Sequence, residues 1–296
     1  MKYKYSCLLL LLVGIYLSIT LYTFANDIKT LQKNTKLDKT KIAAHRGGKA
    51  IFPEGTLYAY QQVVSRWQNC LLEGDVQITA DNVAVIIHDD TVNRTTNGQG
   101  PVSGKTLEEI KSLDAAYNFT TDGGQTFPLR GKGITIPTLD ELLETFPDNT
   151  FLFEIKPFTE NIKPIVEPII KRNMQEHVYL ASVHPQTIQK IRNEYPQIKT
   201  CITIADSAEF LAALQSDNWS DYVPPAKMLA ISEGMEKSFK LTSEKMKKIK
   251  EKGIQILIFT INQPEKIKKY LISEVDWILS DYPDRVAQLE VELQTE

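Results

Sequence analysis

Cysteine and histidine are scarce in this chain of 296 residues, and their placement excludes several classes of protein. There are three cysteines and four histidines, with no CxxC pair and no Cys/His spacing of the kind that holds zinc. No GxGxxG fingerprint of a dinucleotide-binding fold follows the first predicted strand. A strong excess of one charge is also absent, because 34 basic residues stand against 37 acidic ones. The chain therefore has no overall positive field that would attract nucleic acid, and we predict no nucleic-acid partner.

Only one apolar run has the length of a membrane span, and it lies near the N-terminus. Lys2 and Lys4 precede Ser6–Ala25, which carries no charge. Its 20 residues could cross a bilayer as a helix, whereas a signal peptide has a shorter apolar core. We interpret residues 1–25 as a hydrophobic helix that is a membrane anchor or a signal peptide, and we favour the anchor. The basic residues before it place the rest of the chain outside the cytoplasm. The polar, aperiodic residues 26–40 are interpreted as a tether.

From Lys41 onward, short apolar runs alternate with segments that carry apolar residues at helical spacing. The runs are continuously apolar, which indicates strands buried on both faces in a parallel sheet. Eight βα repeats over about 250 residues are typical of a (β/α)8 TIM barrel, and residues 41–296 are assigned to one. A doubly wound α/β sheet is the alternative. The predicted strands are Ile42–His45, the paired extended runs in Leu71–His88, Phe151–Lys156, Val178–Val183, Lys199–Ile204, Met228–Ile231, Ile254–Ile261 and Trp277–Leu279.

One connection is too long and too polar to be a plain loop. Val92–Gly133 is rich in Gly, Thr and Asn, and within it only Thr106–Leu113 has the pattern of a helix. Loops of this length in a compact domain are usually functional. We therefore predict an insertion after the second strand that covers the end of that strand.

The predicted barrel also bears on the cysteines. Cys70 and Cys201 fall on the second and fifth strands, which lie nearly opposite each other in a closed barrel. That separation is too large for a disulfide, so both are predicted to be small buried hydrophobic residues.

The stretch from Leu71 to Asp89 carries the strongest sign of chemistry. Glu73 and Asp75 are two residues apart in a strand, so their side chains project to the same face. Two adjacent carboxylates repel each other unless a proton or a cation lies between them, and their oxygens favour Mg²⁺ or Ca²⁺ over zinc. His88 ends the next extended run. A metal beside a histidine is an arrangement suited to cleavage of phosphate esters.

Other polar residues end the remaining strands. In a TIM barrel the active site lies at the carboxyl ends of the strands, so these residues are expected to meet at one rim. They include His45-Arg46, Glu154-x-Lys156, Ser182-Val183-His184, Thr260-Ile261-Asn262 and Ser280-Asp281.

Five segments, in this order and spacing, resemble the glycerophosphodiester phosphodiesterase family. They are HRGGKAIFPEGT, LEGDVQITADNVAVIIHDDTVNRTTNGQGPV, IPTLDELL, FEIKP and SDYPD. The resemblance runs from about Lys41 to Arg285. It implies a barrel with an insertion after the second strand. It also implies a metal-dependent hydrolase that splits glycerophosphodiesters into glycerol 3-phosphate and an alcohol.

The resemblance also implies roles for single residues. The family's metal ligands match Glu73, Asp75 and Glu154, which would hold one divalent cation, Mg²⁺ or Ca²⁺. Its acid and base histidines match His45 and His88. The basic residues beside the substrate phosphate match Arg46 and Lys156. Lys156 has a second interpretation, in which it only balances the charge of Glu154. Glu54 matches a polar residue at the rim.

Departures from the family pattern fall where the alcohol part of a substrate would bind. His184 stands where the family often has Asp or Asn, and we interpret it as a rim residue more readily than as a ligand. Phe259 replaces a common Trp in the segment that ends in Asn262. We predict that these three residues bear on substrate preference and leave the reaction unchanged.

Three alternatives remain open on the sequence. A glycosidase would use a carboxylate pair but leaves His45 and His88 without a role. A phospholipase-type phosphodiesterase acting on membrane lipids is compatible with the anchor, although no broad apolar loop is evident at the rim. A catalytically inactive, membrane-tethered binding domain has no need of two histidines.

Overall fold

Nine strands and ten α-helices make up residues 40–295, the part of the chain that the computed structural model describes. The strands are β1 Ile42–Ala44, β2 Leu71–Ile78, β3 Ala84–Ile86, β4 Thr150–Ile155, β5 Val178–Ser182, β6 Lys199–Thr200, β7 Met228–Ser232, β8 Gln255–Phe259 and β9 Trp277–Ser280. The helices are α1 Leu57–Arg66, α2 Leu107–Lys111, α3 Leu139–Thr145, α4 Lys163–Lys171, α5 Pro185–Glu194, α6 Ser207–Gln215, α7 Glu233–Ser238, α8 Ser243–Glu251, α9 Pro264–Leu271 and α10 Pro283–Thr295.

The predicted N-terminal anchor or signal segment, residues 1–25, lies outside the described residues, as does nearly all of the predicted tether. Within residues 40–295, no helix combines the length and the apolar character needed to cross a bilayer.

Eight strands are joined in parallel in the order β6-β5-β4-β2-β1-β9-β8-β7. The two ends of this order meet through a parallel bridge between Cys201 and Met228, where the Ile202 N–H donates to the Met228 carbonyl at 2.8 Å. The remaining strand, β3, pairs antiparallel with β2. The predicted (β/α)8 barrel is therefore confirmed, and the doubly wound sheet is excluded because the two edge strands meet.

Side chains inside the barrel form one apolar layer. Strand residues alternate between the interior and the surrounding helices, so every second residue of a strand faces the axis. The layer consists of Ala43, Leu71, Leu152, Tyr179, Cys201, Met228, Leu257, Trp277 and Leu279, with Ala181, Ala230 and Phe259 packed against it. A strand residue two positions beyond a member of this layer also points inward, and such residues lie at the rim.

Short polar signals set where helices begin. The Thr106 and Thr138 side chains accept hydrogen bonds from the backbone N–H groups of Glu109 and Glu141, and both glutamates bond back to the capping residue. Both capping boxes satisfy helix N–H groups that lack partners in the first turn.

The fifth barrel strand is shorter than predicted. The sequence predicts a strand over Lys199–Ile204, but β6 ends at Thr200. Asp206 accepts hydrogen bonds from the backbone N–H and the hydroxyl of Thr203 at 2.7 and 2.8 Å, which turns the chain into α6. Arg192 holds Asp206 at 3.0 Å and fixes this turn.

Helix α7 was not predicted. The Ser232 hydroxyl accepts a hydrogen bond from the Met235 N–H, so the end of β7 is also a helix cap. The helix is only six residues long and has no fully buried residue, so its sequence shows no apolar periodicity.

Strand β3 and the residues after it pack on a small separate core. This cluster lies apart from the barrel core and consists of Val85, Ile87, Val92, Val102, Ile110, Ala115 and Ile136. Only α2 and the short 3-10 turn Val102–Gly104 give the segment regular structure. The predicted insertion is thus a loop-rich excursion stabilised by apolar contacts with β3 and with the residues that flank it.

Cys70 and Cys201 are free thiols, as predicted. Both are buried, with 1% and 3% of their surface exposed, and burial raises the pKa of each thiol to about 12. Such thiols are protonated and unreactive near neutral pH.

The last helix holds the first strand at the end of the barrel opposite the rim. The buried carboxylate of Glu290 accepts hydrogen bonds from the Thr40 hydroxyl at 2.8 Å and the Lys41 N–H at 2.6 Å. Burial raises the pKa of Glu290, against the opposing effect of these two donors.

We expect Glu290→Ala to lower the free energy of unfolding by roughly 1–3 kcal/mol, because it leaves two buried donors without an acceptor. Urea denaturation measures this change. The matched control is Glu292→Ala on the same helix, where the carboxylate bonds only to Gln288 one turn away. A loss for Glu290→Ala no larger than that for the control contradicts a stabilising role for this contact.

Candidate active site

The carboxylates predicted as metal ligands come from two neighbouring strands. Leu71 and Leu152 point into the barrel, so Glu73, Asp75 and Glu154 point inward above them. Asp75 and Glu154 are directly paired in the parallel register of β2 and β4. The structure thus brings the three acidic residues to one place at the rim.

Two cationic side chains lie against Asp75. The Lys156 Nζ is 3.0 Å from one oxygen of Asp75 and 2.8 Å from Glu154. The Arg46 Nε is 3.1 Å from the other Asp75 oxygen. Burial lowers the pKa of Lys156, but the charges of Asp75 and Glu154 outweigh that effect and raise it. Lys156 therefore balances both carboxylates, which extends the expectation that it balances Glu154 alone.

Arg46 is held in an unusual backbone conformation. It lies in the 3-10 turn His45–Gly47 with φ 52° and ψ 34°, in the left-handed region that non-glycine residues rarely adopt. Its backbone N–H donates to Glu73 at 2.8 Å, and its carbonyl accepts from Gly55 at 2.9 Å. The strained turn thus directs a backbone donor at one predicted ligand.

His45 is oriented by a carboxylate from the far end of the chain. Its Nδ1 lies 2.5 Å from Asp281, and its Nε2 is 4.0 Å from Glu73. Asn262 donates to the other oxygen of Asp281 at 2.8 Å and is itself fixed by the Ser280 hydroxyl at 3.0 Å. Burial lowers the pKa of His45, against the opposing effect of its bond to Asp281. Nε2 is the nitrogen directed towards the carboxylate cluster.

His88 is oriented in a similar way. Its Nδ1 lies 2.7 Å from Asp89, whose two oxygens also accept hydrogen bonds from Arg94 at 2.7 and 3.0 Å. His88 and Asp75 line the same small cavity. Each imidazole therefore has one nitrogen held by a carboxylate and the other available for proton transfer.

Glu54 links the loops that follow β1 and β3. It accepts from Arg46 at 3.0 Å and from two nitrogens of Arg94 at 2.7 and 2.8 Å. Burial would raise the pKa of Glu54, but Arg94 and Arg46 outweigh burial and lower it. A continuous chain of ion pairs thus runs from Arg46 through Glu54 and Arg94 to Asp89, which holds the His88 ring.

The carboxylates of Glu73, Asp75 and Glu154 are ligands suited to a hard cation. In the structure, however, Asp75 and Glu154 are arranged around the ammonium group of Lys156. Asp75 Oδ2 is buried without a hydrogen-bond partner. The side-chain Nε of Arg46 lies 3.1 Å away, but its N–H is not directed at this oxygen. Burial and then the charge of Asp75 raise the pKa of Glu73 well above its usual range. Both observations indicate that the nearby cationic groups do not fully neutralise the carboxylate oxygens. As the side chains lie in residues 40–295, however, no set of three His, Cys, Asp or Glu surrounds a metal position.

The residues predicted to affect substrate preference lie at different depths. His184 immediately precedes α5, and its ring meets the Phe158 ring edge-on at 5.9 Å. Phe259 packs against the apolar layer inside the barrel. The side-chain amide of Asn262 donates to Asp281 and accepts from the Ser280 hydroxyl. It positions His45 indirectly, since Asp281 bonds to that ring.

Sequence reasoning missed the partners of the two histidines. Asp281 lies within the SDYPD segment and Asp89 follows His88, but neither had been given a role. Asp89 is adjacent to its partner and could have been proposed from the HD dipeptide. Asp281 is 236 positions from His45 and carries no local signal of that contact.

Known proteins of similar sequence support one interpretation of this geometry. A sequence model of the "Glycerophosphoryl diester phosphodiesterase family" matches residues 45–285. A "Glycerophosphodiester phosphodiesterase" of Caldanaerobacter subterraneus subsp. tengcongensis is 31% identical over 260 residues, covering 85% of this chain and 98% of that protein. A protein of the same description from Bacillus altitudinis is 29% identical over 265 residues, covering 86% and 100%.

Solved structures share the fold. The glycerophosphoryl diester phosphodiesterase domain of a Mycobacterium tuberculosis protein superposes with a TM-score of 0.71 at 20% identity, covering 86% of this chain and 99% of that one. An Oleispira antarctica phosphodiesterase in complex with the product sn-glycerol-3-phosphate gives a TM-score of 0.64 at 26% identity, covering 85% and 96%. The chain belongs to the glycerophosphoryl diester phosphodiesterase family and is an enzyme of the phosphodiesterase class, as its motifs predict.

Proposed function

We propose that the protein hydrolyses glycerophosphodiesters to glycerol 3-phosphate and an alcohol, with two histidines as acid and base beside one divalent cation. The observation that carries the proposal is the pair of imidazoles at the barrel rim, each held at Nδ1 by a carboxylate. The product-bound phosphodiesterase of Oleispira antarctica supports the substrate class.

The two histidines can divide the proton transfers between them. If Nδ1 of His45 carries a proton, it donates to Asp281, and Nε2 is left as an acceptor. His88 bonds to Asp89 in the same way. One ring then removes a proton from the nucleophile, and the other protonates the departing alkoxide, which is a poor leaving group without a proton. Water or the 2-hydroxyl of the glycerol serves as nucleophile in this scheme.

Glu73, Asp75 and Glu154 would hold the cation, which is Mg²⁺ or Ca²⁺ because all three donors are carboxylates. When bound, the ion supplies positive charge to the phosphate oxygens. Arg46 and Lys156 supply further positive charge at the same rim, where negative charge develops on phosphate during attack.

The alternatives explain fewer of these contacts. A glycosidase has no use for two histidines that are each hydrogen-bonded to a carboxylate. A catalytically inactive binding domain leaves the same pairs without a purpose. A phospholipase-type activity uses the same acid and base groups and differs only in the substrate that reaches them.

We also propose that the enzyme acts outside the cytoplasm, attached to the membrane through residues 1–25. The support is the uncharged apolar run that follows two lysines in the sequence.

Replacing either histidine by alanine is expected to lower kcat by about 10²–10⁴-fold, the usual contribution of a positioned acid or base. Release of glycerol 3-phosphate from glycerophosphocholine measures the effect. The matched control is His177→Ala, because His177 is exposed and precedes β5 at the opposite end of the barrel. Activity within tenfold of wild type in His45→Ala or His88→Ala removes that residue from the scheme.

A divalent cation is expected to raise the melting temperature of the wild-type protein but not that of Glu154→Gln. A ligand at about 100 times its Kd adds roughly 2.7 kcal/mol to the free energy of unfolding. Thermal unfolding with Mg²⁺, with Ca²⁺ and with EDTA measures the shift without any assay of activity.

The control for the cation experiment is Glu160→Gln, a carboxylate in the exposed loop after β4. It should keep the wild-type shift. If Glu154→Gln is stabilised by the cation as much as the wild-type protein, the ligand assignment is wrong.

A further inference from the structure

The base of the barrel, its end opposite the rim, is where the described chain begins. The Thr40 hydroxyl and the Lys41 N–H are held there by Glu290. The Lys41 ammonium also donates to the Ser273 carbonyl at 2.7 Å, in the turn that follows α9. The residues that precede Thr40 in the sequence therefore join the barrel at its base, beside the end of α9.

Basic residues are concentrated next to this point. Residues 227–269 contain eleven lysines and five acidic residues, although the whole chain has more acidic than basic residues. Helices α8 and α9 each carry two basic residues in the last turn. A helix dipole favours one such residue or more, but α4 and α5 carry one each and α3 and α6 carry none. The excess at this part of the base therefore exceeds what the other helix ends of the barrel show.

Two exposed aliphatic side chains lie among these lysines. Val223 and Ile272 have 84% and 78% of their surface exposed, the highest values for large hydrophobic residues within 40–295. They lie in the loops before β7 and β9, and β8 pairs with both of those strands. Lys252, just before β8, donates to the Ser220 carbonyl at 2.6 Å in the segment that leads to Val223. The two aliphatic side chains and the lysines thus share one side of the base.

Six residues of this surface are here called the basal patch. They lie in the loops before β7, β8 and β9 and in the C-terminal halves of α8 and α9: Val223, Lys227, Lys247, Lys252, Lys268 and Ile272.

The mouth of the barrel differs from the base in charge. Apolar side chains are exposed there too, in the loops after β4, β5 and β6: Phe158, Val183 and Ile204. Lys156 is the only lysine or arginine in these three loops of the described chain, and its ammonium lies between Asp75 and Glu154. An anionic surface is therefore attracted to the basal patch and not to this side of the mouth.

We propose that the basal patch binds the anionic head groups of a lipid bilayer, so that the active-site mouth faces away from the membrane. This inference rests on the proposed attachment through residues 1–25. Each lysine near an anionic lipid surface strengthens binding by about fivefold. Aliphatic side chains beside lysines bind at the level of the head groups. Attachment through residues 26–40 keeps the base at an effective concentration on the order of millimolar, so weak contacts suffice to orient the barrel.

This orientation determines which substrates reach the site. A mouth directed away from the bilayer receives glycerophosphodiesters from the aqueous phase. A lipid held in the same bilayer does not reach the carboxylates at the rim. The orientation therefore favours hydrolysis of water-soluble glycerophosphodiesters over the phospholipase-type alternative.

The experiment uses the full chain in vesicles, with the fluorophore NBD attached to one introduced cysteine. Ile272→Cys places the probe in the basal patch, and Phe158→Cys places it at the mouth. The background is Cys7→Ser, because Cys70 and Cys201 are buried and unreactive. The vesicles contain phosphatidylcholine alone or together with anionic phosphatidylglycerol, and quenching by a spin-labelled lipid measures contact between probe and bilayer.

With phosphatidylglycerol present, we expect the probe at position 272 to be quenched and its emission to shift to shorter wavelength. The probe at position 158 should keep the emission of a probe in water. The triple variant Lys227→Gln, Lys247→Gln, Lys268→Gln should lower the ratio of docked to undocked protein at least about tenfold, since three lysines in full contact contribute roughly a hundredfold.

The matched control removes three lysines elsewhere, on the insertion, at the start of α4 and on α5: Lys132→Gln, Lys163→Gln, Lys190→Gln. It should dock as the wild-type chain does. Circular dichroism and the melting temperature show whether each variant is folded.

Three results overturn the inference: lipid contact at position 158 and none at 272, no lipid contact at 272, or contact at 272 that depends neither on phosphatidylglycerol nor on the three lysines. Failure of the chain to float with vesicles of either composition contradicts the attachment and the inference together. Hydrolysis of glycerophosphocholine by the same samples tests the proposed reaction separately, and its absence contradicts that reaction whatever the orientation.

Discussion

Repulsion among three inward-pointing carboxylates is the constraint that shapes this site. Barrel alternation places Glu73, Asp75 and Glu154 together, and the burial of Glu73 and Asp75 makes their negative charges costly. The cluster therefore needs nearby positive charge to offset this repulsion. In the structure it comes from Lys156 and Arg46, which approach the two oxygens of Asp75 from different loops. The same demand for positive charge makes the cluster suitable for a divalent cation and for a phosphate bound beside it.

The histidines depend on a second set of carboxylates that does not face the cluster. Asp281 and Asp89 each hold the Nδ1 of one ring, and so each ring presents its other nitrogen. The two supports differ in character. Asp281 is bound by the amide of Asn262 and the ring of His45, with the Lys49 ammonium farther away at 3.5 Å. Asp89 shares its charge with the guanidinium of Arg94. The two imidazoles therefore have different electrostatic surroundings, as a division into acid and base requires.

Much of this arrangement could be predicted from local sequence. Continuous apolar runs predicted the strands, and the spacing of Glu73 and Asp75 predicted a shared face, because both depend on regular strand geometry. The early end of β6 could not be predicted, because it depends on a contact between Arg192 and Asp206 made in three dimensions. The pairing of His45 with Asp281 was missed for the same reason.

The most direct test of the central claim is a crystal structure with Mn²⁺ and glycerol 3-phosphate, with the ion located by anomalous scattering. We predict one ion within roughly 2.0–2.6 Å of oxygens from Glu73, Asp75 and Glu154. Lys156 should have moved from its position between Asp75 and Glu154. His45 and His88 should each place Nε2 within hydrogen-bonding reach of the phosphate group. An ion bound elsewhere, or Lys156 still bridging Asp75 and Glu154 with phosphate present, would contradict the account.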